Sequence, residues 1–144
     1  MLVYLDNCCF NRPFDDQSQV RVLLETEAKL SVQRLIRSGT VALAWSYMMD
    51  YENDANPFEE RRVSISPWRN LASVDIDVSP EIVSCSRHLS ELGFGEKDAL
   101  HISCAIAAGC DLFLTTDKGI LKKRSLVDEL AIISPVDYNF PDDD

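Results

Sequence analysis

No apolar stretch in this sequence approaches the length that a membrane-spanning helix needs. Nothing after Met1 resembles a signal peptide, because Asp6 interrupts the first apolar run after the length of a strand. The sequence therefore reads as that of a soluble, cytoplasmic protein with no membrane partner. Paired zinc ligands of the C-x-x-C type are missing as well. That speaks against a structural zinc site, and the odd number of cysteines, five, against a disulfide framework. Cys8, Cys9, Cys85, Cys104 and Cys110 read instead as small buried hydrophobes of a reduced protein. Histidine is scarce, with His88 and His101 alone, which leaves little for acid-base chemistry by a histidine pair, and His101 reads as structural. Positive charge is short too, 14 Lys and Arg against 24 Asp and Glu for a net charge of −10, so a general basic surface for nucleic acid is excluded. Chemistry at a phosphate is still compatible with this balance when a bound cation supplies the missing charge. Internal repeats, linkers and shifts of composition are all absent, so residues 1–144 read as one domain with an acidic tail from about 139.

What is present alternates between strands and helices. Leu2-Val3-Tyr4-Leu5 reads as a buried strand stopped by Asp6-Asn7, and Asn11-Arg12-Pro13 breaks the chain after it. A helix follows from Asp16 or Ser18 to Arg37, with Val20, Leu23, Leu24, Ala28 and Leu35 on its apolar face and Ser38-Gly39 as its stop. Val41 to Trp45 reads as a second strand, Ser46 as the cap of the next helix, and Asn56-Pro57 as the opening of another that is rich in charge. A weaker strand is expected near Ala72 to Ile76, a helix from Ser79-Pro80-Glu81 to Leu92, and a small-residue helix from Glu96 to Ala108 closed by Gly109. Leu112-Phe113-Leu114 and Leu130 to Ile133 complete the strands. Such alternation predicts a parallel sheet covered on both faces, whose sites lie beyond the carboxyl ends of the strands.

Several acids stand where that rule directs attention. Asp6 ends an apolar run, a costly place for a carboxylate unless a cation, a donor or solvent receives it. Taken alone, a turn residue is the simpler reading, and Asp117 after Leu112-Phe113-Leu114 carries the same ambiguity. Two acids at equivalent strand ends point into one crevice, however, which a pair of unrelated turn residues has no reason to do. Asp98 lies in the first turn of its helix, where an acid also gains from the helix N-terminus. Asp50 and Glu52 compete for one position on the helix after Ser46. They are separated by about 200° around its axis, with Glu52 on the side of Met48 and Met49 and Asp50 on that of Asp54.

The run from Gly95-Glu96-Lys97-Asp98-Ala99-Leu100-His101 through Gly109-Cys110-Asp111-Leu112-Phe113-Leu114-Thr115-Thr116-Asp117 resembles the C-terminal half of PIN domains. The opening strand that ends in Asp6-Asn7 and the acid on the helix after the second strand, here Glu52, extend the resemblance over nearly the whole chain. It implies a three-layer α/β/α fold with a central parallel sheet of four or five strands. It also implies a nuclease whose acids Asp6, Glu52, Asp98 and Asp117 hold Mg²⁺ or Mn²⁺ and hydrolyse RNA, often as the toxin of a toxin-antitoxin pair. The chemistry agrees, since hard cations take carboxylate oxygens and clustered carboxylates repel one another without a cation. Water activated in this way needs no 2′-hydroxyl, so DNA is open to it as well as RNA. Asn7, Ser46 and Thr116 are candidate supporting residues, although hydroxyls at strand ends more often serve the backbone, and Arg12, Lys118 and Lys122 are candidate phosphate contacts. An antitoxin protein or a second copy of the chain is the expected protein partner, the latter suggested by Tyr47 and Trp68 as aromatics in need of cover. The Asn11 to Phe14 and Asn56 to Arg62 segments lie outside the general pattern. Two rivals differ in class: a PIN-like module that binds RNA or protein without cutting, and a phosphatase with Asp6 as nucleophile. The latter lacks the second Asp expected two residues after the first.

Overall fold

The computed structural model describes residues 1–138, so the acidic tail expected from about 139 lies outside the described residues. Five strands form one parallel sheet: β1 (Leu2–Leu5), β2 (Ala42–Ser46), β3 (Val74–Ile76), β4 (Leu112–Leu114) and β5 (Ala131–Ile133), in the order β3-β2-β1-β4-β5. The helices are α1 (Asn7–Asn11), α2 (Val20–Ser38), α3 (Tyr47–Asp54), α4 (Glu59–Ile65), α5 (Pro80–Glu91), α6 (Glu96–Ala107) and α7 (Lys118–Lys122). They complete the three-layer α/β/α arrangement that the alternating pattern predicts. The burial of each strand follows its place in the sheet. Leu112-Phe113-Leu114 in β4 is buried throughout, whereas the edge strands β3 and β5 are only partly covered.

Strand order decides where the chemistry goes. Because β1 lies between β2 and β4, the chain leaves three neighbouring strands at one edge of the sheet. Leu5 pairs with Leu114, and the Asp6 amide continues the ladder to the Leu114 carbonyl at 2.9 Å, so Asp6 and Thr115 emerge side by side. Ser46 ends β2 and caps α3 by accepting from the Met49 amide. Asp6 and Asp117 do the same for the short helices α1 and α7. Gly39, at φ +82°, closes α2 in the left-handed conformation expected of a helix stop.

Two expectations need correction. Part of the expected apolar face of α2 turns outward: Val20 is 72 % exposed, and Leu23, Leu24 and Leu30 also face out among charged residues, whereas Leu35 is buried as expected. The buried stripe is Val22, Glu25, Thr26, Lys29, Val32, Gln33, Leu35 and Ile36, a helical repeat in which half of the residues are polar. Glu25 tolerates this position because Arg12 donates to it at 3.0 Å and Arg21 lies 3.5 Å away, while the Lys29 ammonium stands over the Phe10 ring. Trp68 is not exposed either, at 6 %. It packs near Phe10 with the Arg37 guanidinium over its ring, and Tyr47 is partly buried. The break expected at Asn11-Arg12-Pro13 is a short helical turn that follows α1 directly. The two unusual segments meet there: Asn11 Oδ1 accepts from Asn56 and Arg61, and the Arg61 guanidinium lies between the rings of Phe14 and Phe58. Among the described residues no helix is long and apolar enough to cross a membrane.

Candidate active site

Asp6 sits at the centre of the sheet edge, nearly buried, and its carboxylate is held by short-range donors. Oδ1 accepts from the Asn7 amide at 2.9 Å, and Oδ2 accepts from the Thr115 hydroxyl at 2.8 Å and from the Cys8 thiol at 3.4 Å. Burial pushes its pKa up. His101 and the Thr115 hydrogen bond offset part of the shift, and the charge of Glu52 adds to it. Thr115 also accepts from the Asp117 amide at 3.0 Å, so a single hydroxyl joins the ends of β1 and β4. Asp117 is exposed, and its Oδ1 accepts from the amides of Gly119 and Ile120 at 2.8 and 3.1 Å. Its second oxygen has no such capping bond.

Asp98, one turn into α6 from Gly95, is half-buried, and its pKa is pushed up to about 6. Burial is the main cause, followed by the charges of Asp6 and Asp117. Glu52 contributes a smaller part, and His101 works in the opposite direction. All four expected acids therefore feel one another around Asp98. Glu52 differs in sign: burial alone would raise its pKa, but the hydrogen bond and charge of His101, with help from Lys97 and Asn7, bring it below the usual range. Asp50 turns the other way, where its Oδ1 accepts from the Trp45 indole at 3.0 Å and its Oδ2 lies 3.6 Å from Arg69.

His101 is the residue that the sequence alone undervalued. It is 1 % exposed, with Nε2 at 2.7 Å from Glu52 Oε1 and Nδ1 at 2.6 Å from the Tyr4 hydroxyl, which in turn lies 2.7 Å from Ser46 Oγ. Two periodicities could have found this chain: His101 lies one helical turn after Asp98, and Tyr4 precedes Asp6 by the two-residue repeat of a strand. Ser46, proposed from sequence as a supporting residue, is fully buried within this chain. Asn7 Oδ1 and Thr116 Oγ1 are buried and have no hydrogen-bond partner. Of the basic residues, Arg12 is committed to Asp15 and Glu25, whereas Lys118 and Lys122 are exposed on α7.

Whether these residues fit a cation has two sides. No three His, Cys, Asp or Glu residues among the described ones stand close enough together to form a ready cage. The charges of Asp6, Asp117 and Glu52 nevertheless all reach Asp98. Like-charged side chains relax apart when no cation is present, and carboxylate rotamers are easily reset. The donor set is all oxygen, as Mg²⁺ and Mn²⁺ require, and the orphaned Asn7 and Thr116 oxygens beside these acids lack only a partner.

The family model of the PIN domain matches residues 3–126. The chain belongs to the PIN-domain family. PIN domains are in general nucleases, hydrolases that depend on divalent metal ions. Among solved structures, this PIN domain resembles VapBC2 from Rickettsia felis, crystallised with a DNA fragment from their promoter, at 16 % identity and a TM-score of 0.58. That match covers 93 % of this chain and 98 % of the other. It also resembles FitAcB from Neisseria gonorrhoeae at 13 % identity and a TM-score of 0.60, over 94 % of this chain and 99 % of the other. At such identities the likeness shows the fold alone. No curated protein sequence matches the chain.

Proposed function

We propose that this PIN domain is a ribonuclease that hydrolyses phosphodiester bonds with Mg²⁺ or Mn²⁺ held by Asp6, Glu52, Asp98 and Asp117. The observation that carries the reading is the convergence of β1, α3, α6 and the end of β4 on one edge of the parallel sheet, where Thr115 donates to Asp6 and accepts from the Asp117 amide, and where the Asp98 pKa, raised first by burial, is raised further by the charges of Asp6, Asp117 and Glu52. When bound, the cation supplies Lewis acidity toward the phosphate and makes water nucleophilic near neutral pH. The chain's own residues supply the rest. Asp6 is oriented by Thr115 and the Asn7 amide, and Asp117 is fixed by the amides of α7, so neither carboxylate must be ordered when substrate arrives. Lys118 and Lys122, exposed on the helix that Asp117 caps, are placed to meet backbone phosphates.

A protein partner belongs to the same proposal, either an antitoxin or a second copy of the chain in a homodimer. Support comes from the likeness to VapBC2 and FitAcB and from α2, where Val20, Leu23, Leu24 and Leu30 lie exposed. The proposed single domain over residues 1–144 and a cytoplasmic location are in keeping with a chain whose family match runs through most of its length.

The deciding experiment is incubation of the purified protein with a mixed RNA pool in Mn²⁺ or in excess EDTA, followed by mapping of the new ends. Cleavage in Mn²⁺ with 5′-phosphate products is expected, since the attacking group is water and not the ribose hydroxyl. Equal cleavage in EDTA would overturn the metal reading.

A further inference from the structure

Glu52 presents a problem that its three companions do not. Asp6, Asp98 and Asp117 are short side chains on or beside β1, α6 and α7, and two of them are fixed by backbone amides. Glu52 is long, half-buried, on the second turn of α3, and receives no backbone donor. Ordering a free glutamate costs rotamer entropy, a cost that would otherwise fall on cation binding.

We propose that His101 is the positioning residue of this site: its Nε2 clamps Glu52, and a buried hydrogen-bond chain through Tyr4 to Ser46 locks the imidazole in place. The inference rests on the reading of Glu52 as a cation ligand. The contacts are short throughout, at 2.7 Å from Glu52 Oε1 to His101 Nε2, 2.6 Å from Nδ1 to the Tyr4 hydroxyl, and 2.7 Å from that hydroxyl to Ser46 Oγ. The chain satisfies its groups in either protonation state of the imidazole. With one proton, on Nε2, Ser46 donates to Tyr4 and Tyr4 to Nδ1; in the imidazolium Nδ1–H donates to Tyr4 instead, and in both states Nε2–H donates to the carboxylate, while Ser46 accepts from the Met49 amide. The loop is closed within the fold, because Ser46 caps the same helix that carries Glu52. Tyr4 cannot drift, since its ring stacks on Phe113 at 5.3 Å and 8°. His101 is nearly as constrained, with Ala99, Ile102 and Cys104 buried around it on α6. A buried histidine that merely satisfied its two nitrogens could do so on backbone carbonyls. Here one nitrogen holds an acid of the proposed site and the other a residue of β1, two positions before Asp6.

Outer partners of ligating groups typically contribute about 10- to 100-fold in metal affinity. Mn²⁺ binding to the intact chain, measured by titration calorimetry without RNA, tests the role. E52Q and His101→Asn are each expected to weaken Mn²⁺ about tenfold or more, and the double variant to bind no more weakly than E52Q alone, because both changes act through one carboxylate. His101→Gln, whose amide nitrogen reaches the place of Nε2, is expected to recover most of the affinity. Tyr4→Phe, which frees the imidazole, should bind more weakly than wild type and add nothing to E52Q. A purely structural histidine would instead rank these variants by melting temperature, with additive losses. Unchanged affinity in His101→Asn or in Tyr4→Phe, or additivity with E52Q, overturns the inference while the metal reading stands. Should His101→Asn fail to fold, Tyr4→Phe and its double variant with E52Q decide alone. A wild-type chain that binds no Mn²⁺ overturns the metal reading and the inference together, and E52Q with wild-type affinity removes Glu52 and the inference while leaving the other three acids in place.

Discussion

At the scale of single residues, the sharpest contrast is between two acids on the same helix. Glu52 faces His101 and the acids of the crevice, whereas Asp50 accepts from the Trp45 indole and pairs with Arg69. Glu52→Gln is therefore expected to abolish most Mn²⁺-dependent cleavage, and Asp50→Asn, which keeps an acceptor for the indole, to leave turnover near normal. Steady-state rates on one RNA substrate check the ranking, and its reversal would place the wrong face of α3 at the site. Asp98 supplies a second residue-level test through pH. Its folded pKa of about 6 lies above the ordinary carboxylate range, so the folded protein holds this proton more tightly than the unfolded chain does. The stability it contributes is fully present below about pH 4 and is lost as pH rises through about 6. Metal-free Asp98→Asn should escape that loss, giving a melting temperature that falls less than that of the wild type between pH 4.5 and 7. Parallel melting curves would show that Asp98 is not under the strain described here.

Among the elements, α2 is the least conventional. Its buried stripe carries Glu25, Lys29 and Gln33, and burial lowers the Lys29 pKa to about 8, partly countered by Cys9. A lysine whose folded pKa lies below its unfolded value penalises folding while it must stay charged, so this penalty fades as pH rises from about 8 to about 10.5. Lys29→Met keeps the length of the side chain and the contact with Phe10 without the charge. The variant is expected to melt higher than wild type at pH 7, with the advantage shrinking toward pH 10. A lower melting temperature at pH 7 would mean that the cation over the Phe10 ring is worth more than its desolvation costs.

For the whole molecule, the outer face of α2 leaves four large aliphatic side chains in water, Val20, Leu23, Leu24 and Leu30, set among charged residues, and so many on one helix give a partner something to cover. In the absence of another partner, light scattering at high concentration is expected to report a mass above the 16.2 kDa of one chain, and Leu24→Asp to shift it toward the monomer. A monomeric wild-type mass would remove self-association and leave the antitoxin as the proposed partner. The strands, the caps at Ser46 and Ser79, the stop at Gly39 and the order of the four acids were all legible from local pattern, because each depends on residues within one or two turns of chain. The outward turn of Val20, Leu23 and Leu24 on α2 was not. Both sides of that helix mix aliphatic and polar residues, and Arg12, which lets Glu25 be buried, lies on a different element. Trp68 was read as exposed for the same reason, since Phe10 and Arg37, which cover it, are far away in the chain. The sequence by itself placed Asp6 and Asp117 at the ends of strands and Glu52 and Asp98 on helices, because the apolar runs and caps that mark those elements are local properties. The tertiary structure alone decided that His101 holds Glu52, because that contact joins α3 directly to α6 across 49 positions of chain, and local periodicity can put His101 and Glu52 each on a face but cannot bring the two faces together.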